Sequence, residues 1–283
     1  MNLQVITPIC GNCKMQCPYC IASAHQHGNK FKDLYRENRD EYIAKLKQNF
    51  ETHDWDTIIV TGTAEPMQEP ETLKDIVKLL KEVKNPKTKI ELQTRFHSVP
   101  NDIAREFDVV SRSIDNPDQL GSLKLTAANI DRFVIILTDA FNGYSFRQLM
   151  SESGFIPPQI TFKTLHVDDA QTTPQSQWVK EHSCDIETCN RLKQEITCPV
   201  TTFQLSVRWD DNCMAADNRY VALRTDGDLY KSWDDSKPSE VIVPKISSRL
   251  NDFKSNDGKT DNNISVIVEQ KLRYFKELEL MVK

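Results

Sequence analysis

The stretch LQVITPI, residues 3–9, leads into CKMQCPYC, residues 13–20, so a short apolar run is followed at once by a cluster of cysteines. The apolar run has the length of one buried strand. Cys13, Cys17 and Cys20 have the spacing C-x3-C-x2-C, which eight cysteines scattered over 283 residues would rarely produce by chance. We therefore expect a functional loop directly after the first strand.

Composition places the chain among globular proteins. Hydrophobic residues make up 39% and charged residues 27%, and no run approaches the length of about 18 apolar residues that a membrane span needs. The first ten residues, MNLQVITPIC, lack a basic segment followed by a long apolar one, so we expect no secretory signal and a cytoplasmic location. The net charge of −5 does not favour a nucleic acid partner. In a reducing compartment, cysteines are metal ligands, reactive thiols or buried side chains more often than disulfides.

Strands and helices alternate over the first part of the chain. After residues 3–9, further strands are predicted at 57–62, 89–94, 108–114, 132–138 and 159–167. Apolar residues at helical spacing predict helices at 39–50 and 70–83, and shorter helices at 101–107, 122–130 and 144–154. Such alternation favours parallel strands with right-handed crossovers, which fits a partial or full barrel and also a doubly wound sheet.

The pattern changes beyond about residue 200. FQLSVRW (203–209) and RYVALRT (219–225) read as strands, and Asp226-Gly227 is a hairpin signal. These features predict a small C-terminal antiparallel β appendage, whose Arg208 and Arg224 would suit an anionic substrate. Apolar residues at helical spacing predict a terminal helix in residues 264–281.

The cysteine loop has the donors of a metal site. Thiolates suit zinc and iron–sulfur clusters, both of which take four ligands when closed, so three cysteines leave one position open. Cys10 offers a fourth thiol, and a zinc knot of Cys10, Cys13, Cys17 and Cys20 is the alternative. Closed zinc sites usually join two segments of chain, which disfavours four ligands within eleven residues.

The spacing C-x3-C-x2-C, with aromatic Tyr19 just before the last cysteine, resembles the signature of the radical S-adenosylmethionine superfamily. This resemblance implies a partial (β/α)6 TIM-like barrel over residues 1–200, with residues 201–283 as a cap. It implies a [4Fe–4S] cluster on Cys13, Cys17 and Cys20, whose fourth iron is chelated by the amino and carboxylate groups of S-adenosylmethionine. It also implies that Tyr19 packs near the cofactor, and that an electron donor such as flavodoxin or ferredoxin serves the enzyme.

A second motif, TGTAEPM (61–67), follows the second strand and resembles the glycine-glycine-glutamate-proline segment of the same family. Gly62, Glu65 and Pro66 match in type, whereas Thr63-Ala64 replaces a single glycine and makes the loop one residue longer. In the family this segment binds the methionine amino group, so we expect cofactor contacts from Gly62, Thr63, Glu65 and Pro66. Both motifs would lie at the carboxyl ends of parallel strands, where barrel active sites are built.

Later strand ends carry weaker signals. Gln93, Thr94 and Arg95 end the third strand, and Ser113, Asp115 and Asn116 follow the fourth. Family members often contact the ribose and the methionine carboxylate at these positions. The catalytic residues are not predicted. Four later cysteines raise the question of a second cluster, although their spacings match no known pattern: Cys184, Cys189, Cys198 and Cys213.

The resemblance therefore implies an enzyme that cleaves S-adenosylmethionine reductively to a 5′-deoxyadenosyl radical, which abstracts hydrogen from a substrate. A small, nucleotide-like substrate ranks first. The alternatives are a radical S-adenosylmethionine enzyme that modifies peptides, a zinc-binding interaction module and an iron–sulfur electron carrier.

Overall fold

The computed structural model describes residues 2–8, 13–24, 31–154, 157–167, 172–197, 206–213, 220–231 and 238. Cys10, Cys198 and the helix expected at 264–281 lie outside these residues. The backbone of Cys213 is described, but its side chain is not.

One sheet of nine strands forms the framework of the described chain. The strands are β1 (Asn2–Thr7), β2 (Thr57–Gly62), β3 (Lys89–Thr94), β4 (Val109–Ile114), β5 (Ile130–Leu137), β6 (Gln159–His166), β7 (Ser206–Cys213), β8 (Tyr220–Leu223) and β9 (Leu229–Tyr230). Their order is β7-β6-β5-β4-β3-β2-β1-β8-β9. Every neighbouring pair is parallel except β8 and β9, which are antiparallel.

The strand order decides between the two folds that the sequence left open. From β1 to β6 the order in the sheet equals the order in the chain. A doubly wound sheet reverses direction at a switch point, and this one does not reverse between β1 and β6. The sheet ends at β7 on one side and at β9 on the other. A partial (β/α)6 barrel, with extra strands at both edges, is therefore confirmed.

The helices occupy the crossovers. They are α1 (Ile21–Ala24), α2 (Leu34–Glu37), α3 (Arg39–Thr52), α4 (Pro70–Val83), α5 (Asn101–Ala104), α6 (Phe146–Ser153), α7 (Pro174–His182) and α8 (Ile186–Thr197), with 3-10 turns at Pro66–Gln68, Pro117–Ser122 and Asp139–Phe141. None of the helices in the described ranges has the length and apolar character to cross a membrane.

Local sequence explains where the main helices begin and end. Pro70 occupies the first turn of α4, where its missing N–H costs nothing, and Leu73, Ile76 and Leu80 are buried on one side of that helix. Ser145 caps α6 through a capping box with Gln148. Gly154 ends α6 at φ 66°, a left-handed conformation that glycine adopts without strain.

Along each barrel strand, the side chains that face outward toward the helices are more apolar than those that face the barrel interior. Val5, Val60 and Leu92 are buried in one apolar cluster with Ile76 and Leu80 of α4. Full burial of such a side chain contributes about 1.5–3 kcal/mol. Alternate positions of the same strands face the barrel interior.

The helix predicted at 122–130 is absent. Asp131 of β5 accepts a hydrogen bond from the Thr126 backbone N–H at 2.8 Å, and Arg112 of β4 donates to the Lys124 carbonyl at 2.6 Å. These tertiary hydrogen bonds hold the backbone groups that a helix would have paired internally, so the segment is irregular.

The predicted C-terminal appendage is correct in part. Asp226-Gly227 forms the expected turn, with Gly227 at φ 79°, and β8 and β9 make an antiparallel hairpin. The expectation that residues 203–209 belong to this appendage is wrong, whereas β8, within residues 219–225, forms the expected hairpin with β9. β7 pairs in parallel with β6, and β8 pairs in parallel with β1, because an open parallel sheet offers unpaired backbone groups at both edges. The domain boundary at residue 200 stays a prediction.

Candidate functional site

The cysteine loop follows β1 at the carboxyl end of the sheet. Cys13, Cys17 and Cys20 are free, half-buried thiols. The Cys20 N–H donates to the Cys17 carbonyl at 3.1 Å, which closes a turn through Pro18 and Tyr19. The sequence therefore places three thiols in one compact turn of chain.

The three thiols lie close enough to influence one another electrostatically. The pKa of Cys17 is raised to about 11, mainly by burial; Arg95 opposes the rise, and the nearby Cys20, Cys13 and Asp115 add to it. A metal that binds Cys17 must therefore displace its proton, as thiolate coordination generally requires.

The donor set fits an iron–sulfur cluster. Soft thiolates are the ligands of such clusters, and each thiolate binds a separate iron, so the three need not converge on one point. Within the described ranges, no group of three or more His, Cys, Asp and Glu side chains is arranged to hold a single metal ion. Because Cys10 lies outside those ranges, the four-cysteine zinc alternative is not tested.

Tyr19 connects the cysteine loop to β3 and β4. Its hydroxyl donates to Asp115 Oδ2 at 2.9 Å, and Arg95 Nη1 donates to the Tyr19 oxygen. Arg95 also forms a bidentate ion pair with Asp115, at 2.7 and 2.8 Å. Burial raises the pKa of Tyr19, so the phenol stays neutral. Burial also acts to raise the pKa of Asp115, but the Arg95 hydrogen bonds outweigh it and the pKa is lowered, so this carboxylate is ionised.

The ring of Tyr19 lies inside the mouth of the barrel. It packs against an apolar cluster that includes Val134, Ile136 and Leu165, and its centroid lies 5.7 Å from that of Trp178 in α7. The Trp178 ring in turn stacks on His182 at 4.7 Å. Tyr19, the aromatic residue of the cysteine motif, therefore covers the apolar layer of β5 and β6, and Trp178 of α7 packs against the Tyr19 ring.

Glu65 joins the loop after β2 to the end of β3. The side chain is 5% exposed, and its carboxylate accepts hydrogen bonds from the Met67 N–H at 3.1 Å, the Arg95 N–H at 2.9 Å and the Thr94 hydroxyl. Burial raises its pKa, and the hydrogen bonds limit the rise. A carboxylate has about four acceptor positions, so three are engaged within the protein and one is left for a ligand donor.

The loop after β2 also contacts β1 and the cysteine loop. A Cβ atom on Gly62 would lie 2.4 Å from the Ala64 carbonyl oxygen and 3.2 Å from Thr7 Oγ1, so only glycine fits. Pro66 is buried and begins the turn Pro66–Gln68, and Gln68 Oε1 accepts from the Lys14 N–H at 2.6 Å. The two motifs found in the sequence thus form one connected unit.

Alanine at Gly62 is expected to destabilise this unit. Because the clash is with backbone, the loop must shift, at a cost of about 1–3 kcal/mol. Urea unfolding of Gly62→Ala and Gly121→Ala measures the effect, since a Cβ on Gly121 would meet nothing closer than 3.6 Å. Equal stability of the two variants would show that the loop after β2 accommodates a Cβ atom at position 62 without cost.

Not every residue predicted from strand ends joins this unit. Gln93 donates to Glu91 at 3.3 Å on the inner face of β3, and Ser113 is half-buried one residue before the end of β4. Thr63 is half-buried in the loop after β2. Their cofactor contacts stay predictions. Arg95 and Asp115, which the sequence marked only as polar strand-end residues, are the ones that contact Tyr19.

α7 was not predicted from the sequence. The signal was present: Thr173 accepts from the Ser176 N–H as the N-cap, and Pro174 occupies the first turn. Near its carboxyl end, His182 Nδ1 lies 2.9 Å from Asp139 Oδ2 at the end of β5. α7 therefore places an aromatic ring and an imidazole at the mouth of the barrel.

The later cysteines lie elsewhere. Cys189 is buried and Cys184 packs against the same apolar cluster, which also contains Phe141 and Leu192. The two thiols are close enough to interact, which, together with burial, raises the pKa of Cys184. A second cluster stays an open question, because the Cys198 and Cys213 side chains are outside the description.

No family model matches the chain, and no curated protein matches it. Among solved structures, it is similar to native anSMEcpe with bound AdoMet and Cp18Cys peptide, at 12% identity and a TM-score of 0.49, over 81% of this chain and 73% of that one. It is also similar to coproporphyrinogen III oxidase (HemN) from Escherichia coli, a radical SAM enzyme, at 14% identity and a TM-score of 0.42. That match covers 69% of this chain and 51% of the other.

Proposed function

We propose that this chain is a radical S-adenosylmethionine enzyme that holds a [4Fe–4S] cluster on Cys13, Cys17 and Cys20. The observation that carries the proposal is the position of three thiols in one turn after the first strand of a partial barrel, with Cys17 electrostatically coupled to both others. When bound, the cluster and S-adenosylmethionine would supply a 5′-deoxyadenosyl radical that removes hydrogen from an unactivated carbon.

The chain's own residues would position and shield this chemistry. The ion pair of Arg95 and Asp115 holds Tyr19, and through it the cysteine loop, against the ends of β3 and β4. Glu65 and Gln68 hold the loop after β2 in the same place. The remaining acceptor position of Glu65 suits a ligand ammonium group, as the motif resemblance implies.

The apolar layer beneath Tyr19 supports a reaction that must avoid water. Val134, Ile136 and Leu165 are each 8% exposed, and the rings of Tyr19 and Trp178 pack on them. A reactive intermediate formed beside such a surface is protected from solvent.

For the substrate we propose a small, nucleotide-like molecule, with a peptide as the second candidate. The fold does not decide between them. A flavodoxin or ferredoxin is the proposed source of the electron.

Metal content tests the proposal against its rivals. The full chain purified without oxygen should contain iron and sulfide, and the electron paramagnetic resonance spectrum of the reduced protein should change when S-adenosylmethionine is added. If the protein contained zinc and no iron, the zinc-binding interaction module would be the correct function in place of the proposed enzyme. An iron spectrum that does not respond to S-adenosylmethionine would replace it with an electron carrier.

A further inference from the structure

A cavity lies at the opposite end of the barrel from the cysteine loop. Its volume is about 370 Å³, within the usual size of small-molecule sites. It is lined by the first residue of each of the six barrel strands: Asn2, Thr57, Lys89, Val109, Ile130 and Gln159. Since a strand of six residues spans about 20 Å, the opening of this cavity is far from the carboxyl ends of the strands.

An apolar layer lies between this cavity and the mouth of the barrel. Val134 lines the cavity and also belongs to the apolar cluster that packs beneath Tyr19. The barrel interior is therefore occupied at the top by aromatic and aliphatic side chains, whereas its lower half is open. Closed barrels of this type usually fill their interior with branched apolar side chains, so an open, polar lower half needs an explanation.

The cavity is electropositive although the chain carries a net charge of −5. Four basic and two acidic side chains line it, which leaves two positive charges uncompensated: Lys89, Arg132, Lys163 and Arg208 with Glu91 and Asp210. Cations gathered in a concave, partly buried site produce a stronger field than the same cations on an open surface.

One of the four cations, Arg132, is held in place by the barrel wall. Arg132 Nη1 lies 2.6 Å from Glu91 Oε2, and its Nε donates to Gln159 Oε1 at 2.8 Å. Glu91 is 4% exposed and also accepts from Ser111 at 2.8 Å. Arg132 lines the cavity, and none of the described residues accepts a hydrogen bond from its Nη2.

Of the other cations, Lys163 lies 3.6 Å from Asp210, and Lys89 and Arg208 form no ion pair with any described residue. Both of the latter are exposed at the cavity, on β3 and β7. They come from strands at different places in the sheet, so the cavity presents cations on two sides.

We propose that this lower cavity is a binding site for a small phosphorylated molecule. A phosphate monoester carries about −1.5 to −2 charges at neutral pH, which balances the two uncompensated positive charges, whereas a single carboxylate would balance only one. Arginine and lysine are the usual phosphate-binding side chains, and Arg132 is preorganised by Glu91 and Gln159. The proposal does not depend on the proposed cofactor, because the cysteine loop lies at the carboxyl ends of the strands and the cavity opens at their amino ends. Gln93, a predicted cofactor contact, lines this cavity.

Isothermal titration of the full chain with ribose 5-phosphate, ribose and citrate tests the site. Ribose 5-phosphate should bind, ribose should not, and binding should weaken as salt is added. Lys89→Glu and Arg208→Glu should each weaken the binding of ribose 5-phosphate by tenfold or more. Lys87→Glu, an exposed lysine two residues from Lys89 and outside the cavity lining, should leave it unchanged.

The proposal would be overturned if millimolar ribose 5-phosphate did not bind, if ribose bound equally well, or if citrate bound more strongly. It would also be overturned if Lys87→Glu weakened the binding of ribose 5-phosphate as much as the other two substitutions. Circular dichroism checks that the variants fold, and both substituted side chains are exposed, so the fold should tolerate them. The Cys17→Ala variant should bind ribose 5-phosphate as the unaltered protein does, even when it holds no iron. This separates failure of the phosphate site from failure of the proposed cofactor site.

Discussion

Alanine at Cys13, Cys17 or Cys20 is expected to abolish both iron binding and cleavage of S-adenosylmethionine. Each thiolate would hold one iron, so the loss of any one removes one of only three protein ligands of a cluster that already has an open position. Anaerobic reconstitution followed by iron analysis measures the first effect. Release of 5′-deoxyadenosine under reducing conditions measures the second.

The matched control is Cys10→Ala, which changes a cysteine three residues before the loop and should leave iron content and cleavage intact. An equal loss in Cys10→Ala would overturn the assignment of three ligands. If that variant also lost bound zinc, the four-cysteine interaction module would be the better description.

Alanine at Asp131 is expected to cost about 3–5 kcal/mol of the free energy of unfolding, the usual result of removing one partner of a buried ion pair. Arg112 is fully buried, and its Nη2 lies 2.8 Å from Asp131 Oδ1. The same carboxylate accepts from the Thr126 N–H at 2.8 Å. The substitution therefore leaves a buried guanidinium without its counter-charge and frees the segment before β5.

Urea unfolding of Asp131→Ala and Glu106→Ala provides the comparison. Glu106 and Lys81 form an ion pair of 2.6 Å, but both side chains are more than one-third exposed, so its loss should change stability by about 1 kcal/mol or less. Equal destabilisation of the two variants would show that burial of Arg112 does not depend on Asp131.

The elements that are specified by a pattern of neighbouring residues were predictable. The strands at 57–62 and 89–94 match β2 and β3 residue for residue. The apolar, β-branched run of TIIVTG and the alternation of polar and apolar residues in KIELQT each indicate a strand without reference to the rest of the chain. α4 was predictable for the same reason, since its apolar spacing and Pro70 are local signals. The cysteine spacing likewise identified the candidate metal ligands from residues 13–20 alone.

Contacts between distant residues were not predictable. Tyr19 and Asp115 are 96 positions apart, and nothing in either neighbourhood indicates the other. Glu65 was recognised by its motif, but its hydrogen bonds to Thr94 and Arg95 depend on β2 lying beside β3. The failed helix at 122–130 has the same cause, because Asp131 and Arg112 took its backbone groups.

The sequence by itself determined where the first six strands and the two long helices α3 and α4 form, which of their faces are apolar, and that three cysteines follow the first strand. The tertiary structure alone decided that β7 and β8 extend the parallel sheet at its two edges, that an arginine–aspartate pair holds the cysteine loop, and that four basic side chains surround a lower cavity. The reason is physical. Periodicity and spacing act over a few neighbouring residues, whereas the pairing of strand edges and the meeting of charges depend on which parts of the folded chain come together.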